Sequence, residues 1–368
     1  MPGLIKAQAG SLVAALALCA LPRRGRQTLR VPALEAVRLA ADGDGLSITA
    51  TTFDGTITTR LEAAAEGEVA LSADPLADLV RHFSADTKIA IVADDRAATV
   101  TSGRCRFKLP VFAVADLPER HILGEESGRV ELDARIARDL FARPAFAAAH
   151  EASRPYLRGI FLRNTDGNLV AVAADGFRFC RFMTPVTTTL SQDQALIIPS
   201  EMVKTINRLL GNASGNVTLR RSERLFAVES AGFVVVSTRV DWSYPDYERW
   251  IPSDGRNVVT TSRAGLGAAL ARFAAVADPQ TRTHVIRLRW DAGGLHLDAD
   301  GGVDCLAADV EGQGETAVQI RHLAELIGAL RGDSVRMCAA EPGSLILVTD
   351  PEDESFTGGQ MPIRPRSS

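Results

Sequence analysis

Residues 157–178 read LRGIFLRNTDGNLVAVAADGFR, and this stretch decides the fold because the chain contains two more like it. An alternating run leads into an Asp/Gly/Asn turn and a second alternating run follows, which is typical of a β-hairpin. The pattern recurs at 34–55 (LEAVRLAADGDGLSITATTFDG) and at 284–303 (HVIRLRWDAGGLHLDADGGV). The equivalent leucines Leu46, Leu169 and Leu295 are spaced by roughly 120–130 residues, which indicates a repeat of domain size.

A helix is predicted before each hairpin. These helices are rich in Ala and Leu, with apolar residues three and four positions apart: SLVAALALCALP (11–22), RIARDLFARPAFAAAHE (135–151) and GLGAALARFAAVADPQ (265–280). A second helix with its own hairpin follows in the segments 71–103, 197–232 and 318–351. The sequence therefore predicts an α+β protein of three similar domains, each with two helices packed on antiparallel sheets. Turn-rich segments at 115–128 and 244–256 place the domains at 1–122, 129–252 and 253–368.

The opening segment has a second interpretation, a secretory signal, which would make the protein an exported β-rich binding protein. Lys6 precedes an apolar run from Leu12 to Leu21. However, Arg23, Arg24, Arg26 and Arg30 follow this run, whereas a signal carries its positive charge before it. The run is also too short to span a bilayer. Because the segment matches the first helix of the other two repeats, we interpret it as the first helix of the first domain.

Composition limits the class of protein. With 368 residues, 46% hydrophobic content and a net charge of −4, the chain is not a uniformly basic nucleic-acid binder, although a local basic surface is compatible with these values. The five cysteines, at 19, 105, 180, 305 and 338, are odd in number and scattered. This pattern indicates a reducing compartment rather than a disulfide framework, so a cytoplasmic location is expected.

The sequence contains no complete catalytic motif. GNASG (211–215) does not have the spacing of a P-loop, GLGAAL (265–270) lacks the third glycine of a dinucleotide fingerprint, and HEASR (150–154) departs from a zinc-protease motif at its last residue. Asp175, in AADGFRF, is interpreted as a turn aspartate rather than as a catalytic carboxylate. We therefore expect no intrinsic enzymatic activity, no cofactor and no metal site.

Positive charge is concentrated on the predicted helices. The basic residues assigned to them are Lys6, Arg81, Arg135, Arg138, Arg143, Lys204, Arg208, Arg263, Arg272, Arg321 and Arg331. The acids are fewer, with Asp74 and Asp133 at helix starts and Asp78, Asp139, Glu201 and Glu325 further along. If the helices share one surface, that surface would attract phosphate without reading bases. The alternative is that these are ordinary solvated helix faces.

Several motifs occur together in one order: SRPYLRGIFLR (153–163), AADGFRF (173–179), IIPSEMVKTINRLL (197–210), YPDYERWIP (244–252) and MPIR (361–364). In the first domain they are joined by RGRQTL (24–29), LSITATTFDG (46–55) and TSGRCRFKLPVFAVADLP (101–118). From Lys6 to Arg364 this set resembles the bacterial β sliding clamp, the DNA polymerase III β subunit family. The resemblance implies a DNA-clamp fold whose subunits dimerise head to tail into a ring of six modules. It also implies a non-enzymatic processivity factor, for which an enzymatic label would describe the polymerase holoenzyme.

The resemblance implies three sets of site residues. Those for sequence-independent contact with duplex DNA are Arg26, His150, Arg154 and Tyr156. Those for the subunit interface are Arg104, Arg106, Phe107, Ala275 and Val276. Those for a pocket that takes short clamp-binding peptides of polymerase, clamp loader and repair proteins are Leu157, Ala174, Gly176, Phe177, Arg178, Phe179, Pro245, Arg249, Trp250, Leu345, Met361, Pro362, Ile363 and Arg364.

The sequence also departs from the family pattern. Asp74, Ser200 and Glu201 stand where the family usually has basic residues, and Phe179 and Trp250 are bulky for their places. Losing phosphate contacts would weaken attraction to DNA. Two functions therefore stay open beside the exported protein: a replicative sliding clamp, and a divergent paralogue that binds clamp-motif peptides but loads poorly on DNA, such as a decoy, mobile-element or specialised-polymerase clamp.

Overall fold

The computed structural model describes residues 3–19, 32–94, 96–151, 153–188, 190, 194–251, 256–277, 284–299, 301–341 and 343–363. The chain forms two compact units. Unit 1 comprises Met1–Arg138 and Glu201–Arg239, and unit 2 comprises Asp139–Ser200 and Val240–Ser368. Each unit holds one terminal repeat together with part of the middle repeat, so the domain boundaries derived from the sequence stay a prediction.

The helices and strands recur in three similar runs along the described residues. The helices are α1 Ala9–Cys19, α2 Ala73–Val80, α3 Ala134–Ala142, α4 Ser200–Gly211, α5 Arg263–Val276 and α6 Ile320–Gly328. The strands of the first run are β1 Gly3–Gln8, β2 Ala36–Asp42, β3 Gly45–Thr51, β4 Gly55–Glu62, β5 Ala64–Glu66, β6 Glu68–Ser72, β7 Lys88–Ala93, β8 Ala97–Ser102 and β9 Cys105–Phe112. Those of the second are β10 Gly128–Asp133, β11 Gly159–Thr165, β12 Asn168–Ala174, β13 Arg178–Thr187, β14 Leu196–Pro199, β15 Asn216–Arg221, β16 Leu225–Ser230 and β17 Phe233–Thr238. Those of the third are β18 Val258–Ser262, β19 Val285–Asp291, β20 Gly294–Ala299, β21 Gly302–Leu306, β22 Ala308–Glu311, β23 Gly314–Gln319, β24 Ser334–Ala339, β25 Ile346–Asp350 and β26 Asp353–Gln360.

The strands pair antiparallel within each unit. Unit 1 has one thirteen-stranded sheet in the order β10-β15-β16-β17-β4-β3-β2-β6-β9-β8-β7-β1-β5. Unit 2 has a nine-stranded sheet, β14-β11-β12-β13-β26-β25-β24-β18-β22, and a four-stranded sheet, β21-β20-β19-β23. The three predicted hairpins are present as β2–β3, β11–β12 and β19–β20. At the β11–β12 turn Asp166 and Gly167 have φ of 51° and 88°, the left-handed pair that a tight type I′ turn requires.

The opening segment is part of the core of unit 1. Helix α1 buries Leu12, Leu16 and Cys19 and packs against β3, β4 and α2. The assignment of Lys6 to this helix is wrong, because β1 pairs with β5 and β7. Its side chains alternate between buried and exposed, with Ile5 buried and Lys6 exposed, which is the period of a strand.

Candidate partner-peptide pocket and interface surfaces

Four predicted pocket residues and one neighbour form a buried apolar floor in unit 2. Leu157, Ala174, Phe179 and Leu345 lie in one buried cluster with Ala149. Ala174 ends β12 and pairs across the sheet with Phe179 of β13. The partly buried Tyr156, Tyr244, Ile251 and Leu347 pack against this cluster. The sheet thus supplies the floor, and the segment 244–251 covers one side of it.

Three large apolar side chains stay exposed beside the floor. Phe177 is 56% exposed, Met361 47% and Trp250 36%. The ring of Trp250 contacts that of Phe179, with their centroids 6.5 Å apart. The backbone N–H of Met361 donates to the carbonyl of Phe177 at 2.7 Å, which joins the end of β26 to the turn after β12. Exposed apolar groups gathered over a buried apolar floor are typical of a binding site.

The turn that carries Phe177 is built by Asp175. Its Oδ1 accepts hydrogen bonds from the backbone N–H groups of Phe177, at 2.8 Å, and of Arg178, at 2.9 Å. Gly176 has φ of 89°, a conformation that favours glycine. The interpretation of Asp175 as a turn aspartate is therefore confirmed. The turn fixes where Phe177 projects.

Arg178 is buried behind this turn. Its guanidinium bonds Asp175 Oδ2 at 3.1 Å, the carboxylate of Glu325 on α6, and the carbonyl of Phe146 at 2.8 Å. With 6% of its surface exposed and these partners in place, Arg178 holds the turn and α6 together. Its donors point into the protein, so it supports the pocket turn from behind, and its place among the pocket residues stays a prediction.

Two titratable groups of α6 face this cluster. Burial works to raise the pKa of Glu325, but hydrogen bonds and charges from Arg178 and Arg321 outweigh it, so the pKa lies below its usual value. Burial and the positive charge of Arg178 lower the pKa of His322. The His322 ring lies 6.4 Å from that of Phe177, centroid to centroid. Sequence reasoning missed both residues, since helical spacing gives no sign that α6 meets the 175–178 turn.

The other pocket residues are spread along the edges of this site. Pro245, Pro362 and Ile363 are half-buried, and Ile363 N–H donates to Ala317 O at 2.7 Å. Arg249 is exposed and pairs with Asp246 at 2.8 Å. Arg364 lies outside the described residues.

The predicted DNA-contact residues lie in the loop just before β11. His150 is exposed, while Arg154 and Tyr156 are half-buried. Arg154 Nη1 donates to the carbonyl of Asp175 at 3.2 Å, so this loop also braces the pocket turn. The ring of Tyr156 lies 6.4 Å from that of Trp242, which is 63% exposed and was missed because a lone linker tryptophan carries no motif. Arg26 lies outside the described residues.

The helix charges are less available than the sequence suggested. Arg143 follows α3 and is 8% exposed, with its guanidinium bonded to Asp353 at 2.7 Å. It also lies 4.8 Å from the ring centroid of Phe182 and 5.1 Å from that of Phe356. Its assignment to a phosphate-facing surface is wrong. Arg135, Lys204 and Arg208 are exposed, although Lys204 pairs with Glu201 at 2.8 Å.

The predicted interface residues lie beside two strands with open edges. In unit 1, β8 pairs with Cys105–Pro110 of β9, whereas β6 pairs only with Val111 and Phe112. This leaves Cys105–Pro110 open on one side, with Arg104 and Arg106 exposed and Phe107 43% exposed. In unit 2, β21 ends its sheet, and Val303 on it is 81% exposed. Ala275 and Val276 are exposed at the end of α5.

Among the described residues, no group of three or more His, Cys, Asp or Glu side chains could hold a metal ion. The helices within the described ranges all fall short of the length and apolar character that crossing a membrane requires. The five cysteines are free thiols.

The fold and the pocket define an α+β clamp of three similar repeats, and sequence comparison agrees. Family profiles described as the N-terminal, central and C-terminal domains of the DNA polymerase III beta subunit match residues 8–121, 131–246 and 248–364. The chain therefore belongs to the DNA polymerase III beta subunit family. The family resemblance inferred from the ordered motifs is confirmed.

Individual relatives agree over nearly the full length. The beta sliding clamp of Pseudomonas aeruginosa is 30% identical over 352 residues, covering 92% of this chain and 94% of the relative. That of Caulobacter vibrioides is 28% identical, covering 91% and 93%. A crystal structure of the DNA polymerase sliding clamp from Pseudomonas aeruginosa matches with a TM-score of 0.91 at 27% identity, covering 99% of this chain and 100% of the other. The predicted clamp fold and the sliding-clamp function class are confirmed.

Proposed function

We propose that two copies of this chain join head to tail into a ring of six similar modules that encircles duplex DNA. The ring tethers DNA polymerase and other DNA-processing proteins, which dock short peptides in the pocket of unit 2. The chain itself performs no catalysis, because topology rather than chemistry keeps the ring on DNA. Its work on DNA places it in the cytoplasm.

The observation that carries this proposal is the pair of open strand edges in different repeats. The β9 edge is basic, with Arg104, Arg106 and Lys108, and carries Phe107. The β21 edge is apolar at Val303 and acidic at Asp304, whose pKa is lowered mainly by a hydrogen bond from Arg272. Unpaired edges are templates for pairing with another chain. Two unlike edges that complement each other favour a heterologous contact, which closes into a ring when the rotation allows it.

Native cysteines can test this contact between β9 of one subunit and β21 of the other, called the seam below. Cys105 begins β9 and Cys305 lies on β21, and both are exposed, whereas Cys19 and Cys180 are buried. We expect a short bismaleimide to give a covalent dimer of twice 39.3 kDa. Neither Cys105→Ser nor Cys305→Ser alone should cross-link. After subunit exchange, a mixture of the two should recover cross-linking in about half of the dimers, because each mixed dimer has one intact seam.

Light scattering separates the outcomes of that experiment. A stable dimer in which Cys305→Ser still cross-links would mean that β9 meets β9, and the head-to-tail seam would be rejected. A monomer at all concentrations would reject the ring itself. Gel analysis under reducing conditions is the control, because reduction breaks disulfides but leaves bismaleimide cross-links intact.

The pocket fits a peptide with an apolar anchor. Its buried floor and exposed apolar rim offer the arrangement in which a few anchor side chains carry most of the binding energy. The exposed guanidinium of Arg249 stands near the rim segment and can pair with peptide carboxylates. Arg178 acts behind the pocket, through the turn that positions Phe177.

Attraction to DNA rests on fewer charges than the family pattern predicts. Asp74 is exposed in the first turn of α2, and the carboxylate of Glu201 accepts a hydrogen bond from Lys204. Fewer phosphate contacts lower both affinity and its salt dependence. This favours the divergent paralogue as the second candidate, and retention on DNA decides between the two.

Topological trapping measures that retention. We expect rings sealed by bismaleimide on nicked circular DNA to stay bound at salt on the order of 1 M, where charge contacts are screened, and to be released when the DNA is linearised. Unsealed rings at the same salt are the control. If sealed dimers form but never remain on circular DNA, the chain is a peptide-binding paralogue and not a working clamp.

A further inference from the structure

Unit 1 contains a cavity of about 260 Å³ that the peptide pocket does not explain. Two adjoining strands, β2 and β3, form its floor, and the segment after β9 forms its wall. Among the lining residues, Ala115, Glu119 and Arg120 are exposed, so the cavity is reached from solvent. The lining residues are Ala33, Ala36, Arg38, Thr49, Thr51, Val114, Ala115, Leu117, Pro118, Glu119 and Arg120.

The internal repeat shows which residues of the second repeat correspond to the lining of this cavity. Aligning 34–55 with 157–178 places Arg38 at Phe161 and Thr49 at Val172. The structure agrees, since Arg38 pairs with Thr49 across its hairpin as Phe161 pairs with Val172 across the other.

The segments that follow align as well. ERHI at 119–122 corresponds to ERWI at 248–251. This alignment sets Ala115 against Tyr244 and Pro118 against Tyr247. The floor and the wall of the cavity therefore both have counterparts in the second repeat.

Two tyrosines fill the corresponding space in the second repeat. Tyr244 lies flat on Phe161, with ring centroids 4.5 Å apart and planes 2° apart. Tyr247 is 1% exposed and packs against Val170 and Val172. In the first repeat these positions hold Ala115 and Pro118, so the cavity is the volume of the missing phenol rings.

We propose that this cavity is a second docking site, which takes a tyrosine side chain presented by an extended peptide of a partner protein. Its volume exceeds the roughly 150 Å³ of an engineered cavity that binds benzene. At the position of Phe161 stands Arg38, whose planar guanidinium is fixed by Glu68 and can stack on an aromatic ring. The second repeat thus already shows which side chain suits this place.

The floor of the cavity favours the phenol group of tyrosine over the unsubstituted ring of phenylalanine. Thr49 and Thr51 replace Val172 and Ala174, and their hydroxyls bond only Thr58, at 3.2 Å, and Thr56, at 3.4 Å, among the hydrogen bonds found for the described residues. A hydroxyl offers one donor and two acceptor sites, so both retain capacity for a further partner. A tyrosine hydroxyl reaching this floor would find partners that leucine or phenylalanine cannot use.

The test uses capped tripeptides, acetyl-Gly-Tyr-Gly-amide and its Phe and Leu analogues, with binding followed by ligand-observed NMR on the full chain. We expect the Tyr peptide to bind about fivefold more tightly than the Phe peptide, the value of one hydrogen bond, and the Leu peptide to bind more weakly still. Ala115→Tyr fills the cavity as Tyr244 does, and should weaken binding by at least about tenfold.

Two further variants keep the test decisive. Ala41→Tyr places the same ring on the opposite face of β2, where Ala41 is exposed, and should leave binding unchanged. Thr49→Val copies the second repeat and should remove the preference for Tyr over Phe. Binding that survives Ala115→Tyr, equal binding of the Leu peptide, or no binding to the wild-type chain would overturn the proposal.

Discussion

Replacing Arg178 by methionine is expected to destabilise unit 2 by about 3–5 kcal/mol and to abolish binding of a clamp-motif peptide, because it removes the partner of two acidic groups at a buried site. Asp175 and Glu325 would keep their charges without the guanidinium that bonds both. The turn that projects Phe177 would lose its anchor to α6. The three tryptophans, Trp242, Trp250 and Trp290, all lie in unit 2, so their fluorescence follows the unfolding of this unit.

Arg321→Met is the matched control for that variant. Arg321 also pairs with Glu325, at 3.3 Å, but its side chain is 74% exposed. Removing it should cost well under about 1 kcal/mol, as exposed pairs do, and leave peptide binding intact. Equal losses in the two variants would contradict the role assigned to burial. Recovery of stability in Arg178→Met combined with Asp175→Asn and Glu325→Gln would show that unpaired charge causes the loss.

The pH dependence of stability gives a second readout for Arg178. In the folded protein the pKa of Glu325 lies below its usual value, with the lowering by Arg178 and Arg321 outweighing burial. Its contribution is therefore complete above the ordinary glutamate pKa of about 4.3 and is lost as the pH falls towards the folded value. Arg178→Met should flatten this acid-side loss. It should also raise the pKa of His322, which burial and the charge of Arg178 lower, as NMR titration can measure.

Local patterns account for what the sequence could predict. Period-two alternation and Asp-Gly turns predict the three hairpins, because both signals lie within a few residues of the structure that they specify. The turn role of Asp175 was predicted for the same reason. Lys6 was wrongly assigned to α1 because an Ala/Leu-rich run follows it closely. The helical pattern of that run was extended backwards into β1.

Contacts between distant residues leave no such signal. The partner of Arg143 is Asp353, 210 positions away, and that of Arg178 is Glu325, 147 positions away. A helix-by-helix count of charges treats Arg143 as a surface group, and the pattern around Arg178 does not show that it is buried. Only the packing of elements from different repeats shows that both arginines are buried, and that the pocket turn is held from behind. The sequence therefore predicts a set of pocket residues, but it does not show what supports them.

The floor of the pocket is expected to depend on the space that Gly359 leaves for the large ring of Phe179. The bulky Phe179 pairs with Gly359 across β13 and β26, and a Cβ at 359 would run into its ring and approach Leu345 Cδ2 at 2.8 Å. Gly359→Ala should therefore destabilise unit 2 by about 1–3 kcal/mol through overpacking. It should also weaken binding of a clamp-motif peptide on the order of tenfold by pushing the Phe179 ring towards the peptide.

A double-mutant cycle isolates this dependence. Phe179→Leu alone should cost about 1–2 kcal/mol, because a smaller apolar side chain loses part of the packing of the ring but stays in the core. Combined with Gly359→Ala it should restore much of the loss in stability and in peptide affinity, with a favourable coupling of about 1–2 kcal/mol. Additive losses would mean that the two residues do not share space.

Gly267→Ala is the control glycine within unit 2. It lies in α5, where an added Cβ meets no atom within 4 Å. This change should stabilise the unit by about 0.5–1 kcal/mol, since glycine inside a helix is unfavourable. Opposite signs at 267 and 359 would tie the effect at 359 to the Phe179 ring and not to the loss of a glycine. The large Phe179 side chain, a departure from the family pattern, would then fit because residue 359 is a glycine and leaves room for the ring.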